Sequence, residues 1–229
     1  MTLPDAQALI GIVLGIAVAQ QTLEHLAIDA QGRAVFIFRL LAAIGLIFAM
    51  APILCLGVLI VSGLWQLHRY NGPFNGGADK MMTLVVWCLT VSHIMPAGPA
   101  SDIFIAYLAV QLTLSYVVSG YVKLRNPAWR SGQALADVFA FSAYPVGQNL
   151  RKLATMPKLM RAGSWSVIGI EVLFPLSLFH PTALVCALIC VAGFHLANAC
   201  LFGLNRFFWA WMSAFPALIW FQSSILGIS

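Results

Sequence analysis

Arg39, Glu171 and His195 each stand inside a run of apolar residues long enough to form a membrane helix. A charged group at that depth costs about 3 kcal/mol on insertion scales, so each is a candidate for pairing or function. Arg39 falls about five residues into a predicted span at 34–50, and Glu171 about seven into one at 164–180. His195 falls about seven residues before the end of one at 182–202. With a rise of 1.5 Å per residue, all three sit roughly 8–11 Å from the same side. Shared depth is what contact between them requires. Asn198 follows His195 by three positions and so shares its helix face. Lys123 closes a span at 102–123 and His68 closes one at 52–68. Asp79 opens one at 78–95, after the turn Asn71-Gly72-Pro73-Phe74-Asn75-Gly76-Gly77. Six predicted helices thus send a polar group toward one pole, which points to a binding site there.

Each residue also has a plainer reading. Arg39 and Glu171 make a buried ion pair that fixes helix register, or they belong to the site. His195 bonds a neighbouring carbonyl, or it meets a ligand. Lys123 snorkels to lipid headgroups, or it turns inward. His68 and Asp79 sit solvated at loop edges, or Asp79 joins the cluster. His93 and His180 lie toward the opposite side, beside proline-containing turns, so haem is not expected. Cys55, Cys88, Cys186, Cys190 and Cys200 show no C-x-x-C spacing, so no metal is expected either.

The elements that must position these groups follow from composition. Hydrophobic residues make up 61% of the 229 and charged ones 8%, far below the quarter usual in soluble domains. The expected fold is all-α: one polytopic transmembrane bundle over 1–229, with no room for a second, soluble domain. Eight spans are predicted, at 8–28, 34–50, 52–68, 78–95, 102–123, 164–180, 182–202 and 206–226. The polar second half of the first, Gln20 to His25, is expected at the membrane interface. Two boundaries rest on Ala51-Pro52 and His180-Pro181, because proline disfavours helix just before it. The segment 124–163 holds Arg125, Arg130, Arg151, Lys152, Lys158 and Arg161 against one acid, Asp137, which suits amphipathic helices on the membrane surface.

With eight spans, Arg33, Arg69, Lys80, the 124–163 segment and Arg206 share one side, while the opposite loops carry no Lys or Arg. The positive-inside rule makes that side cytoplasmic in a cell inner membrane. The net charge of +5 therefore describes topology, with the lipid bilayer as partner and no role for nucleic acid.

The run Tyr116-Val-Val-Ser-Gly120-Tyr-Val-Lys123-Leu124, then Trp129-Arg-Ser-Gly132, resembles a signature of the HTTM domain. That is the membrane domain shared with vitamin K-dependent gamma-carboxylase. Phe194-His195-Leu-Ala-Asn198, continuing through Leu201-Phe202-Gly203, is similar to a second stretch of that family. Glu171, Arg39-Leu-Leu and Asn75-Gly-Gly-Ala-Asp79 fall where the family has its acidic, arginine and polar pre-helix positions. The resemblance covers about residues 34–225. It implies a quinone or vitamin K-like molecule as ligand, with Lys123 as the base that deprotonates a quinol for oxygen-dependent chemistry. A lysine takes up a proton only as the neutral amine, a form that burial favours. By the same resemblance His195 and Asn198 hydrogen-bond a quinone oxygen, with Arg39, Glu171 and Asp79 also at the ligand. The carboxylase's substrate-binding domain has no counterpart here, so quinol chemistry is expected rather than glutamate carboxylation. The family's site faces the lumen, whereas the basic residues place Lys123 on the cytoplasmic side.

Two readings of another class stand beside this one. The chain is a non-catalytic subunit of a larger respiratory, photosynthetic or export complex, or a membrane protein for maturation of, or immunity to, a secreted peptide.

Overall fold

The computed structural model describes residues 1–70, 77–141 and 148–228, and among these every regular element is helical. The predicted turn at 71–77 therefore lies outside the described residues as far as Gly76. The helices are α1 (Leu3–Ile28), α2 (Arg33–Ile47), α3 (Pro52–Arg69), α4 (Gly77–Ile94) and α5 (Pro99–Arg125), then the short α6 (Pro127–Ser131), α7 (Gln133–Phe141) and α8 (Gln148–Arg151). The chain continues through α9 (Pro157–Leu173), which runs on as a tighter helix to Phe179, α10 (Pro181–Phe202) and α11 (Asn205–Trp220). Proline opens α3, α5, α6, α9 and α10, where its missing N–H would lack a helical partner anyway.

Among the described residues, five stretches are long and apolar enough to cross a bilayer: Leu3–Ile28, Pro52–Arg69, Pro99–Arg125, Pro157–Phe179 and Pro181–Phe202. They fit an integral membrane protein. Helix length and composition carry only these five of the eight predicted spans. At 15 residues, α2 reaches about 22 Å, short of the roughly 30 Å apolar core. α4 carries Asp79, Lys80, Thr83, Thr90 and Ser92 in 18 residues, and α11 has 16 residues with Pro216 among them.

Both proline turns form. His180 is extended before Pro181. Before Pro52 the chain turns through Ala49 and Ala51, at φ 53° and 43°. An L-residue in that left-handed region costs about 1–2 kcal/mol, and a β-branched one more. Ala51→Gly is expected to match or slightly exceed the wild type in stability. Ala51→Val should fall about 1–2 kcal/mol below it, a gap that thermal unfolding in detergent reads directly.

Contacts divide the chain into two compact units. The first comprises Met1–Val110 with the C-terminal segment from Arg206. Its α1 starts on a capping box, with Thr2 Oγ accepting from the Asp5 N–H at 3.4 Å and Asp5 Oδ2 accepting from the Thr2 N–H at 3.1 Å. α1 lies tight on α2, since a Cβ on Gly15 would stand 2.7 Å from the Ala43 carbonyl oxygen. In the polar half of α1, Gln21, Thr22 and His25 are all under 5% exposed. They point into this unit's core, where Gln21 meets Arg39 and Asp79, and His25 Nδ1 lies against the Gln21 carbonyl.

The loop after α1 is held by Asp29. Its carboxylate accepts from Arg69 Nε at 2.7 Å, Arg69 Nη2 at 3.0 Å, the Tyr70 hydroxyl at 2.5 Å and the backbone N–H groups of Gln31 and Gly32 at 3.0 Å. Arg69 first, then Tyr70, holds this carboxyl well below the usual carboxylate range. A depressed carboxylate contributes stability that is complete above its ordinary value of about 3.9 and is lost as pH falls through the folded value. Amide exchange over residues 29–33, corrected for intrinsic rates, is therefore expected to accelerate from about pH 4 downward. Asp29→Asn should exchange fast at every pH.

The second unit comprises Gln111–Asn205. Within the basic segment α6, α7 and α8 are 5, 9 and 4 residues long, too short to span. The last part of that segment differs from expectation: residues 157–163 form the opening turns of α9, so this span starts seven residues earlier than the 164 predicted. Proline at 157 starts the helix, and Lys158 and Arg161 occupy its polar end. Phe139, Met160 and Phe202 bury together and fasten α7 to α9 and α10. Gly132 (φ 88°) ends α6 where a Cβ would sit 2.5 Å from Arg161 N, so only glycine suits both the turn and the contact.

Candidate functional site

In the second unit, Gly120 lets the later half of α5 approach α9. A Cβ there would come within 2.9 Å of both Glu171 Cβ and Val172 N. The close approach brings Lys123, one turn beyond Gly120, against Glu171. Lys123 Nζ donates to Glu171 Oε1 at 2.8 Å and Oε2 at 2.7 Å, and to Ser119 Oγ at 2.5 Å. Ser119 Oγ donates to Glu171 Oε1 at 3.1 Å. The two charged side chains are 15% and 5% exposed, so the pair is shielded from water. The Lys123 ammonium also lies 5.3 Å from the centre of the Trp129 ring, within cation–π range.

Lys123 lines a cleft of about 660 Å³, with Trp129, Phe141, Phe194, Asn198 and Phe202 among its walls. That size is typical of small-molecule sites, and the wall is predominantly apolar, with Lys123, Asp137 and Asn198 as polar exceptions. His195 is 4% exposed and its Nε2 hydrogen-bonds the Tyr116 hydroxyl at 3.1 Å, with Tyr116 packed on Phe174 at 4.6 Å between ring centres. Asn198 thus borders the cleft, while its helix-mate His195 is engaged by Tyr116.

Arg39 and Asp79 belong to the first unit. Arg39 is 5% exposed and donates to Gln21 Oε1 at 3.1 Å, Ser62 Oγ at 3.1 Å and the Leu59 carbonyl at 3.5 Å. Gln21 passes the contact on, its Nε2 donating to Asp79 Oδ1 at 2.7 Å. His25 stacks on Phe36 and Tyr70, and its Nδ1 lies 2.8 Å from the Gln21 carbonyl. Glu171 is paired with Lys123, and Arg39 donates to neutral oxygens. His68 is exposed.

Ser119, Tyr116, Gln21, Gln66 and Arg206 complete these clusters and were not singled out as site residues by spacing. Two signals were present. Ser119 and Lys123 stand four apart on one helix face, as do Gln21 and His25. No family model, curated protein or solved structure matches this chain.

Proposed function

We propose that the chain is a multi-pass inner-membrane protein of HTTM type that binds an amphipathic, quinone-like or lipidic molecule in the Lys123 cleft. The cleft itself carries the reading: its walls are mostly apolar and aromatic, with Lys123, Asp137 and Asn198 as the polar members. A planar ring fits among Trp129, Phe194 and Phe202, and the amine and amide suit its oxygen substituents. When bound, a quinol supplies an acidic hydroxyl and the electrons for oxygen-dependent chemistry.

The chain's own contribution is proton management. Paired with Glu171, Lys123 is an ammonium and cannot accept a proton. Transfer of one Nζ proton to the Glu171 carboxylate leaves a neutral amine and a neutral acid. The amine then accepts the ligand's hydroxyl proton, and the pair as a whole gains one. Ser119 holds both partners and keeps that transfer short. His195 acts through Tyr116 rather than at the ligand in this reading.

The test begins with protein purified in mild detergent and extracted for small molecules by mass spectrometry. A quinone or lipid is expected in near-stoichiometric amount, and Val138→Trp, which fills the cleft, should lose it. Lys123→Ala should abolish quinol epoxidation in membranes that contain the parent protein. Equal retention by the filled variant defeats the binding reading. Epoxidation absent from the parent, or unaffected in Lys123→Ala, defeats the catalytic one. A stoichiometric protein partner with an empty cleft would favour the subunit reading.

A further inference from the structure

The first unit holds a second cavity, about 60 Å³, bordered by Gln21, Arg39, Gly63, Gln66, Asp79 and Arg206 among others. It is polar in a chain that is otherwise apolar. Among its lining residues, the buried polar atoms without a partner are both N–H donors: Arg39 Nε and Gln66 Nε2. A buried donor left unmade costs about 1–3 kcal/mol, more when it is charged. Arg39's three hydrogen bonds go to neutral oxygens, and among the described residues its guanidinium forms no ion pair. Arg206 adds a second guanidinium, whose Nε is taken by Glu24 at 2.9 Å. The carboxylate on the wall, Asp79, accepts from Gln21 rather than from Arg39. The wall therefore has spare donors, and among the described residues no carboxylate is in direct contact with Arg39.

We infer that this cavity binds a small oxyanion, a phosphate or carboxylate group, through Arg39 with help from Gln66 and Arg206. The side-on edge of an arginine, Nε with Nη2, matches two oxygens of such a group. The space takes one small group or a few waters, and nothing larger. The oxyanion comes free from the aqueous phase or on the headgroup of an anionic lipid.

Gly63 provides the control. Gly63 lines the cavity, and a Cβ there would meet Arg39 Nη1 at 3.9 Å, an ordinary contact, so a side chain at this position takes up cavity space. The full chain is unfolded thermally in detergent with sodium phosphate or sodium acetate replacing chloride at constant ionic strength. A parallel arm uses phosphatidylcholine nanodiscs with and without phosphatidylglycerol. At tenfold excess over Kd the wild type is expected to gain about 3–5 °C. Gly63→Val should lose the gain, and Gln66→Leu, a second variant that spares Arg39, should weaken it several-fold. Asp79→Asn, which removes a like charge, should bind several-fold tighter. A response to the free anions marks an aqueous ligand, and a response to phosphatidylglycerol alone marks a headgroup. No response in any arm, or equal responses from wild type, Gly63→Val and Gln66→Leu, overturns the site and leaves a cavity that holds only water.

Discussion

Lys123→Met is expected to cost about 3–5 kcal/mol of stability, because it leaves the Glu171 carboxylate buried and unpaired. The Glu171 side chain is 5% exposed and has the Lys123 ammonium as its bidentate partner, with the Ser119 hydroxyl as its other hydrogen-bond partner among the described residues. Removing the amine keeps the desolvation cost of the carboxylate and discards the compensation. The double variant Lys123→Met/Glu171→Leu should recover most of the loss, since replacing both partners by apolar groups of similar size is often neutral. Denaturation by a graded mixture of ionic and mild detergents gives the difference. Wild-type stability in Lys123→Met would mean that the pair contributes nothing and that Lys123 reaches headgroups instead. The same variants separate stability from function, because the double variant should be folded, with the apolar part of the cleft wall kept, and still inactive.

Gly120→Ala is expected to be nearly as damaging, at about 1–3 kcal/mol, with larger residues worse. The new methyl would meet Val172 Cγ2 at 2.8 Å and the Val172 backbone N at 2.9 Å. A valine methyl can rotate away, but a backbone nitrogen moves only with its helix. The later half of α5 and α9 must then separate by several tenths of an ångström, which lengthens the Lys123–Glu171 bonds. The effect should therefore couple to the ion pair. In a cycle of Gly120→Ala and Lys123→Met, the double variant should lose less than the sum of the single losses. Strict additivity would show that the glycine serves packing alone.

Much of the architecture was legible because it follows from local chemistry. Prolines 52, 99, 127, 157 and 181 each open a helix, and the Pro52 and Pro181 turns were placed from sequence. Helix extent was less legible where polarity misled. The basic residues at 158 and 161 read as a surface segment, yet the backbone is already helical from Pro157. Gln21, Thr22 and His25 read as an interface, yet they are buried, because partners 18 and 58 residues away satisfy Gln21.

The sequence by itself determined that this is a protein of apolar helices fit for a bilayer, and which polar residues stand inside or at the ends of its apolar runs. Helix and hydropathy follow from residue type and spacing, both local quantities. The tertiary structure decided which of those residues meet. Contact depends on which way each helix is turned and which helices adjoin, and close approaches such as Gly120 against Val172 set both. So Glu171 faces Lys123 instead of Arg39, Asn198 borders a cleft while His195 turns to Tyr116, and Arg39 is left with neutral partners beside a small polar cavity.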